Sequence, residues 1–252
     1  MNRFLKQLVY GVGFLAVLGA VIFGFYLIFL KQPQSCFDKK QNQGEEGIDC
    51  GGPCEQFCVS SDTKPVELLG KPRVFYVGGN SSLLAQVQNP NSALALERFD
   101  YEFALKGEGG TVLKTISGSS FIYAREVKYL FVPRLDISAA QIQSVDFVFK
   151  NPAWIPAEDF VKPVVRAQNF RTEPEGGDLA VSGTVINEHS RSVRSVSVIA
   201  VFYGKFGQSL GASQTVIDNV AVGESRPFTV RYPKDPDIVP EKTEVFVFAL
   251  RS

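Results

Sequence analysis

From residue 65 onward the chain repeats itself at a shift of about 98 residues, and a repeat of that length means one structural unit used twice. Val87-Gln-Asn89 falls on Val185-Ile-Asn187, and Ala124-Arg-Glu126 on Val222-Gly-Glu224. Lys128 and Val132 fall on Arg226 and Val230, and Phe147-Val-Phe149 meets Phe246-Val-Phe248 with one residue of slip. Random matches would not keep one order and one shift. Two copies are therefore expected, residues 65–155 and 164–252, joined by a proline-rich linker, 156–163.

Each copy reads as short strands split by Gly, Pro, Asn and Ser, the pattern of an all-β sandwich or barrel. The segment Phe99-Asp-Tyr101-Glu-Phe103-Ala-Leu105 alternates apolar and polar residues, so one face enters a core and the other meets water. Phe103 lies on the core phase, whereas Asp100 lies on the wet phase, where a lysine is expected to be nearly silent. Residues 193–203 differ: Val196, Val198, Ala200 and Phe202 form one apolar phase, and Ile199, Val201 and Tyr203 the other. Both faces of that strand need cover, and the second is expected to serve a partner or the first sandwich. Val198, Ala200 and Phe202 are candidate partner-contact residues. So is Trp154, the only tryptophan, although a wedge between the two copies is the favoured role for a linker Trp.

The N-terminal quarter is of another kind. Residues 8–30 carry no charge and are long enough to cross a bilayer. The run exceeds a cleavable signal core and ends without an Ala-x-Ala site, so an uncleaved signal-anchor is expected, with residues 1–7 cytoplasmic. Gly13, Ala16, Ala20 and Gly24 share one helical face, a candidate for self-association and a homodimer.

All four cysteines follow in the next module, residues 31–64, as Cys36-x13-Cys50-x3-Cys54-x3-Cys58. This spacing lacks the paired hooks of structural zinc sites, and beyond a membrane span it predicts two disulfides, with three connectivities open. Oxidised cysteines place the C-terminal side outside the cytoplasm. Phe37, Ile48 and Phe57 are the module's candidates for a core. Asp38, Asn42, Glu45 and Asp49, with Glu46 and Glu55 nearby, are hard oxygen donors that suit a structural calcium ion; the alternative is a solvated loop whose Asp and Asn cap their own turns.

Two resemblances bear on this reading. The string Cys36-x-Asp38-x3-Asn42-x2-Glu45-x-Gly47-x-Asp49-Cys50-Gly51-Gly52-x-Cys54 resembles a short cysteine-rich motif of bacterial secreted and surface proteins, which implies display at a bacterial cell surface. Where its members often have Gly after the Asp, this chain has Lys39. In the second copy, Leu179-Ala-Val-Ser-Gly183-Thr-Val185-Ile-Asn187, Val201-Phe-Tyr203-Gly204-Lys-Phe-Gly207 and Val222-Gly-Glu224 resemble the FxLYD and LEA-2 (WHy) group of small immunoglobulin-like sandwiches. That resemblance implies two tandem immunoglobulin-like sandwiches of extracytoplasmic, non-enzymatic character.

Motifs for chemistry are sparse. His189 is the only histidine and sits in a turn pattern; Ser190, Ser192 and Ser195 lack a nucleophile elbow; Gly107-Glu-Gly109-Gly110 reads as a hairpin turn rather than a phosphate loop. With 26 basic and 26 acidic residues, no basic excess points to nucleic acid. The expected function is a membrane-anchored, non-enzymatic interaction module with an unknown protein or cell-wall partner. The alternative is a ligand- or wall-polymer-binding subunit of a membrane complex.

Overall fold

The computed structural model describes residues 3–27, 35–54, 56–77 and 80–251. Residues 28–30 of the expected span and Glu55 of the acidic cluster lie outside them. The chain forms two compact units, Met1–Cys58 and Val59–Ser252.

The first unit begins with α1 (Arg3–Phe25). Leu, Val, Phe and Gly dominate it and no proline interrupts it, so the backbone closes its hydrogen bonds along the segment while the apolar side chains point outward. Lys6–Phe25 has a mean hydropathy of 2.3 and none of it is buried, a helix long and apolar enough to cross a membrane. Gly13, Ala16, Ala20 and Gly24 lie along it, with open space beside Gly13 and Gly24.

Among the described residues the second unit is strand and turn, with three single-turn 3-10 helices. β1 (Glu67–Leu68) and β2 (Arg73–Val77) pair with successive parts of β3 (Asn80–Gln88), whose other side pairs β6 (Val127–Val132). Facing them, β4 (Leu94–Lys106) lies between β5 (Val112–Ile122) and β7 (Ser144–Pro156). The second copy repeats the arrangement. β9 (Asp178–Asn187) lies between β8 (Val165–Glu175) and β12 (Ser225–Pro233), and β10 (Val193–Tyr203) between β11 (Ser209–Val220) and β13 (Glu244–Arg251). All pairs are antiparallel, and the result is two immunoglobulin-like sandwiches in tandem. The repeat extends to register: Arg73 pairs Leu84 as Arg171 pairs Ser182, and Val87 pairs Lys128 as Val185 pairs Arg226.

The sequence pairs that reveal the repeat are the ones that close each sandwich. Asn89 and Asn187 are both fully buried. The Asn89 side chain donates to the carbonyls of Leu94 and Tyr123; that of Asn187 donates to those of Arg191, Val220 and Ala221. Each asparagine so satisfies carbonyls of two loops distant in sequence, which no apolar residue at that point could do. The partner glutamates act alike, Glu126 accepting from the Tyr123 N–H and Glu224 from the Ala221 N–H.

Phe99, Phe103 and Leu105 fill the first core with Leu83, Val87 and Ile122, all fully buried. Val181, Val185, Val196, Val198, Ala200 and Phe202 fill the second. The other phase of β10 is covered by the first sandwich. Ile199 and Val201 join Ala212 and Phe248 against Phe75 and Leu84, with Tyr129, Phe131, Tyr203 and Phe246 around them. The outer face of one sheet in the first copy thus meets the outer face of the opposite sheet in the second. Such head-to-tail stacking would continue indefinitely if both copies kept both apolar faces. They do not: Leu84 and Phe131 become Ser182 and Thr229 in the second copy, whose hydroxyls meet at 3.3 Å. On the first copy, the outer face of β4 carries Asp100 and Glu102. These two outer faces therefore lack the apolar surface that stacks the copies at their junction.

The expected linker is also part of this contact. β7 runs through Pro156, and beyond it Phe160 is buried, its ring stacked on that of Tyr123 at 4.7 Å. The Tyr123 hydroxyl donates to the Ala249 carbonyl at 2.9 Å and accepts from the Arg251 N–H. The wedge expected of Trp154 is supplied by Phe160. Trp154 itself lies within β7, opposite Leu96, and packs against the first core with its ring 6.3 Å from that of Phe149.

Candidate functional site

The cysteine module takes one of the three open connectivities, with bridges Cys36–Cys54 and Cys50–Cys58 interlaced along the chain. Two glycines permit the crossing. Gly52 has φ +58°, and a Cβ there would lie 2.2 Å from the Gly44 carbonyl oxygen; a Cβ on Gly47 would meet the Cys50 sulfur at 2.8 Å. The position where the resembling motif often has Gly is also left-handed, with Lys39 at φ 59°.

Asp38, Asn42, Glu45 and Asp49 are brought together; the three carboxylates turn onto the chain, whereas the buried Oδ1 of Asn42 accepts no hydrogen bond. The Asp49 carboxylate accepts the Lys39 N–H at 2.9 and 3.1 Å. Asp38 accepts the Lys40 N–H and the Asn42 side-chain amide, both at 2.9 Å, and the amide first of all holds its carboxyl below the usual range. Glu45, buried, accepts the N–H groups of Asn42 and Asp49 through Oε2. This is turn-capping geometry. A cation would have to displace several of these donors, with the unpartnered Asn42 Oδ1 as the one oxygen of the four residues already free for it. Glu45 Oε1 also lies 3.2 Å from the Cys54 sulfur. Cys36, Glu45 and Cys54 form a tight group, but both sulfurs are spent in one bridge and neither is a thiolate ligand.

The expected core of the module does not form. Phe37 is 86% exposed, Ile48 63% and Phe57 42%. The two bridges and the capped turns tie the segment without apolar burial, in keeping with how small cysteine-rich modules hold together.

Of the residues expected to meet a partner, Val198, Ala200 and Phe202 are fully buried in the second core. They lie inside the molecule, not on a surface a partner reaches, because β10 directs its even-numbered side chains inward. His189 donates its backbone N–H to Asn187 Oδ1 in the β9–β10 turn, and Glu108–Gly110 forms a short turn between β4 and β5.

The junction of the sandwiches holds a site that the strand patterns reveal only in part. A cavity of about 140 Å³ is lined by Lys71, Arg73, Tyr129, Tyr203 and Ser209. The Arg73 guanidinium donates to the Ser209 hydroxyl across the junction, and the Tyr203 hydroxyl donates to Glu244 at 3.1 Å. Burial, with the Glu244 carboxylate beside it, pushes Tyr203 up to about 12. Its signal in sequence was only the apolar second face of residues 199–203, which marks a junction but not the cations at its rim.

No protein-family model and no curated protein matches this chain. Among solved structures, the transglutaminase of red sea bream aligns over 75% of this chain and 32% of its own, at 11% identity and a TM-score of 0.24. The chain therefore spans about a third of that protein's length, and so distant a likeness carries nothing toward function.

Proposed function

We propose that this chain is a membrane-anchored, extracytoplasmic structural module of the cell surface, which holds two immunoglobulin-like sandwiches as one rigid body for a protein or cell-wall partner. The observation that carries the reading is the order of an apolar helix followed at once by two interlaced disulfides, since such bridges persist in oxidising compartments. The buried sandwich junction supports the second half, because an apolar contact of this kind resists independent motion of its two sides. A non-enzymatic role is supported by where the buried polar groups go: Asn89, Asn187 and Glu126 serve backbone groups of their own loops. Alkylation and mass measurement of the non-reduced full chain from membranes, with protease shaving of intact cells, tests the reading. No free thiol and release of residues 59–252 into the medium are expected; four alkylated cysteines would invert the topology.

The junction cavity favours a second reading, a subunit that binds a ligand or wall polymer. Lys71 and Arg73 supply charge and Tyr129 supplies a hydroxyl, which together suit an anionic group. Calorimetric titration with a phosphate-bearing wall polymer is then expected to give saturable heat that is lost in Arg73→Ala. Absence of heat with the unaltered protein retires this reading.

A further inference from the structure

We infer that the cysteine module is seated on the membrane it emerges from, with Phe37 and Ile48 inserted at the lipid interface. The inference rests on the reading of residues 8–30 as a span. These two side chains are the most exposed large apolar groups of the module, at 86% and 63%. They also belong to one place in it. The Lys39 N–H is held by both oxygens of Asp49, which brings the residues just after Phe37 against the residue just after Ile48. In a segment with so few apolar side chains, two of them flanking one hydrogen-bonded contact and left in water is a cost without return, unless something covers them.

The chain states what is within reach. Phe37 is seven residues beyond Leu30, the last apolar residue of the span, and seven residues extend to at most about 25 Å. The module therefore stays within about 25 Å of the end of the span, near enough for it to rest on the bilayer surface. Lys39 and Lys40, both exposed, follow Phe37 directly and are placed to meet lipid phosphates. The acidic residues do not oppose this uniformly: Glu45 is buried, and Asp38 and Asp49 are turned onto backbone N–H groups, which leaves Glu46 and the more distant Asp62 as the exposed acids among the described residues of the module. An aromatic and an aliphatic side chain beside two lysines is the composition of an interfacial anchor.

The test uses the full chain in phosphatidylcholine and phosphatidylglycerol vesicles, with Trp154→Phe as a tryptophan-free background and single tryptophans at Phe37, Ile48 or Phe14. Both module positions are exposed, so the substitutions leave the fold intact, and an unchanged non-reduced mass confirms the two bridges. Emission from Phe37→Trp and Ile48→Trp is expected to shift to the blue and to lose most of its intensity in vesicles of brominated lipid. Phe14→Trp reports on the helix. Quenching at Phe14→Trp with red, unquenched emission at Phe37→Trp and Ile48→Trp overturns the inference and leaves the anchor standing; no quenching at Phe14→Trp overturns the anchor itself. A blue shift without quenching, lost when the protein is diluted among lipid, means that a second copy covers these residues and overturns the inference too.

Discussion

Phe103→Asp is expected to abolish cooperative folding of the first sandwich and to remove most of its thermal transition. The ring is fully buried, with neighbouring aromatic centroids at 5.3 Å (Tyr101) and 5.4 Å (Phe147). Removing such a ring costs about 3–5 kcal/mol, and burying an unpaired carboxylate in its place adds several kcal/mol more. A single domain has only about 5–15 kcal/mol in total. The second sandwich would suffer indirectly, since Ile199, Val201 and Phe248 lose the surface that covers them. Asp100→Lys is the matched control, but the silence expected of an exposed strand residue needs correction. Its carboxylate accepts from the Ser119 hydroxyl at 2.6 Å, the Asn151 amide at 3.0 Å and the Arg98 guanidinium, and these donors, Ser119 first, hold its pKa down. A lysine there loses all three and stands beside Arg98, so a small fall in melting temperature is expected, far below that of Phe103→Asp. Thermal unfolding of both variants followed by circular dichroism decides it, and equal falls would mean that the register of β4 is wrong.

Much of this architecture is legible in the sequence because local and long-range signals coincide. Alternation in Phe99–Leu105 marks the inward face, and the recurrence of Asn89 as Asn187 and of Glu126 as Glu224 marks the same pair of buried loop clasps in both copies. What stays hidden depends on how finished pieces meet. Val198, Ala200 and Phe202 look no different from Ile199, Val201 and Tyr203 in composition, and only the position of the first sandwich decides which phase is core and which is junction. The same holds for Trp154 and Phe160: proline spacing signals an extended segment, yet the one that wedges is the one that happens to reach Tyr123. In the cysteine module, the apolar residues that ought to have formed a core are outside, since interlaced bridges make a core unnecessary there.

Lys128→Met is expected to be more stabilising to the second unit at pH 6 than at pH 11, by several kcal/mol, for a reason the repeat makes clear. Its counterpart in the second copy, Arg226, keeps 43% of its side chain exposed and lies 3.4 Å from Glu224. Lys128 is only 5% exposed, because Phe248 of β13 and the segment after β7 close over that end of the first sandwich. Its ammonium donates to the Phe121 carbonyl at 3.0 Å and sits 3.1 Å above the Phe121 ring. Burial nonetheless brings its pKa from 10.5 down to about 7; the Glu126 carboxylate acts the other way, and Lys162, paired to Glu126 at 2.7 Å, adds to the fall. Between pH 7 and 10.5 the unfolded chain holds a proton that the folded chain has released, so this residue makes stability rise with pH across that window. Below it both states are protonated, and the full cost of the buried charge is present. Each tenfold loss of proton affinity on folding is worth about 1.4 kcal/mol, and the hydrogen bond and ring contact of the ammonium are already contained in that net loss. Chemical denaturation of the two proteins at pH 6, 8, 9.5 and 11 should show the variant's advantage fall as pH rises. A constant difference would mean that folding leaves the proton affinity of the lysine unchanged, so that its cost is one of packing alone.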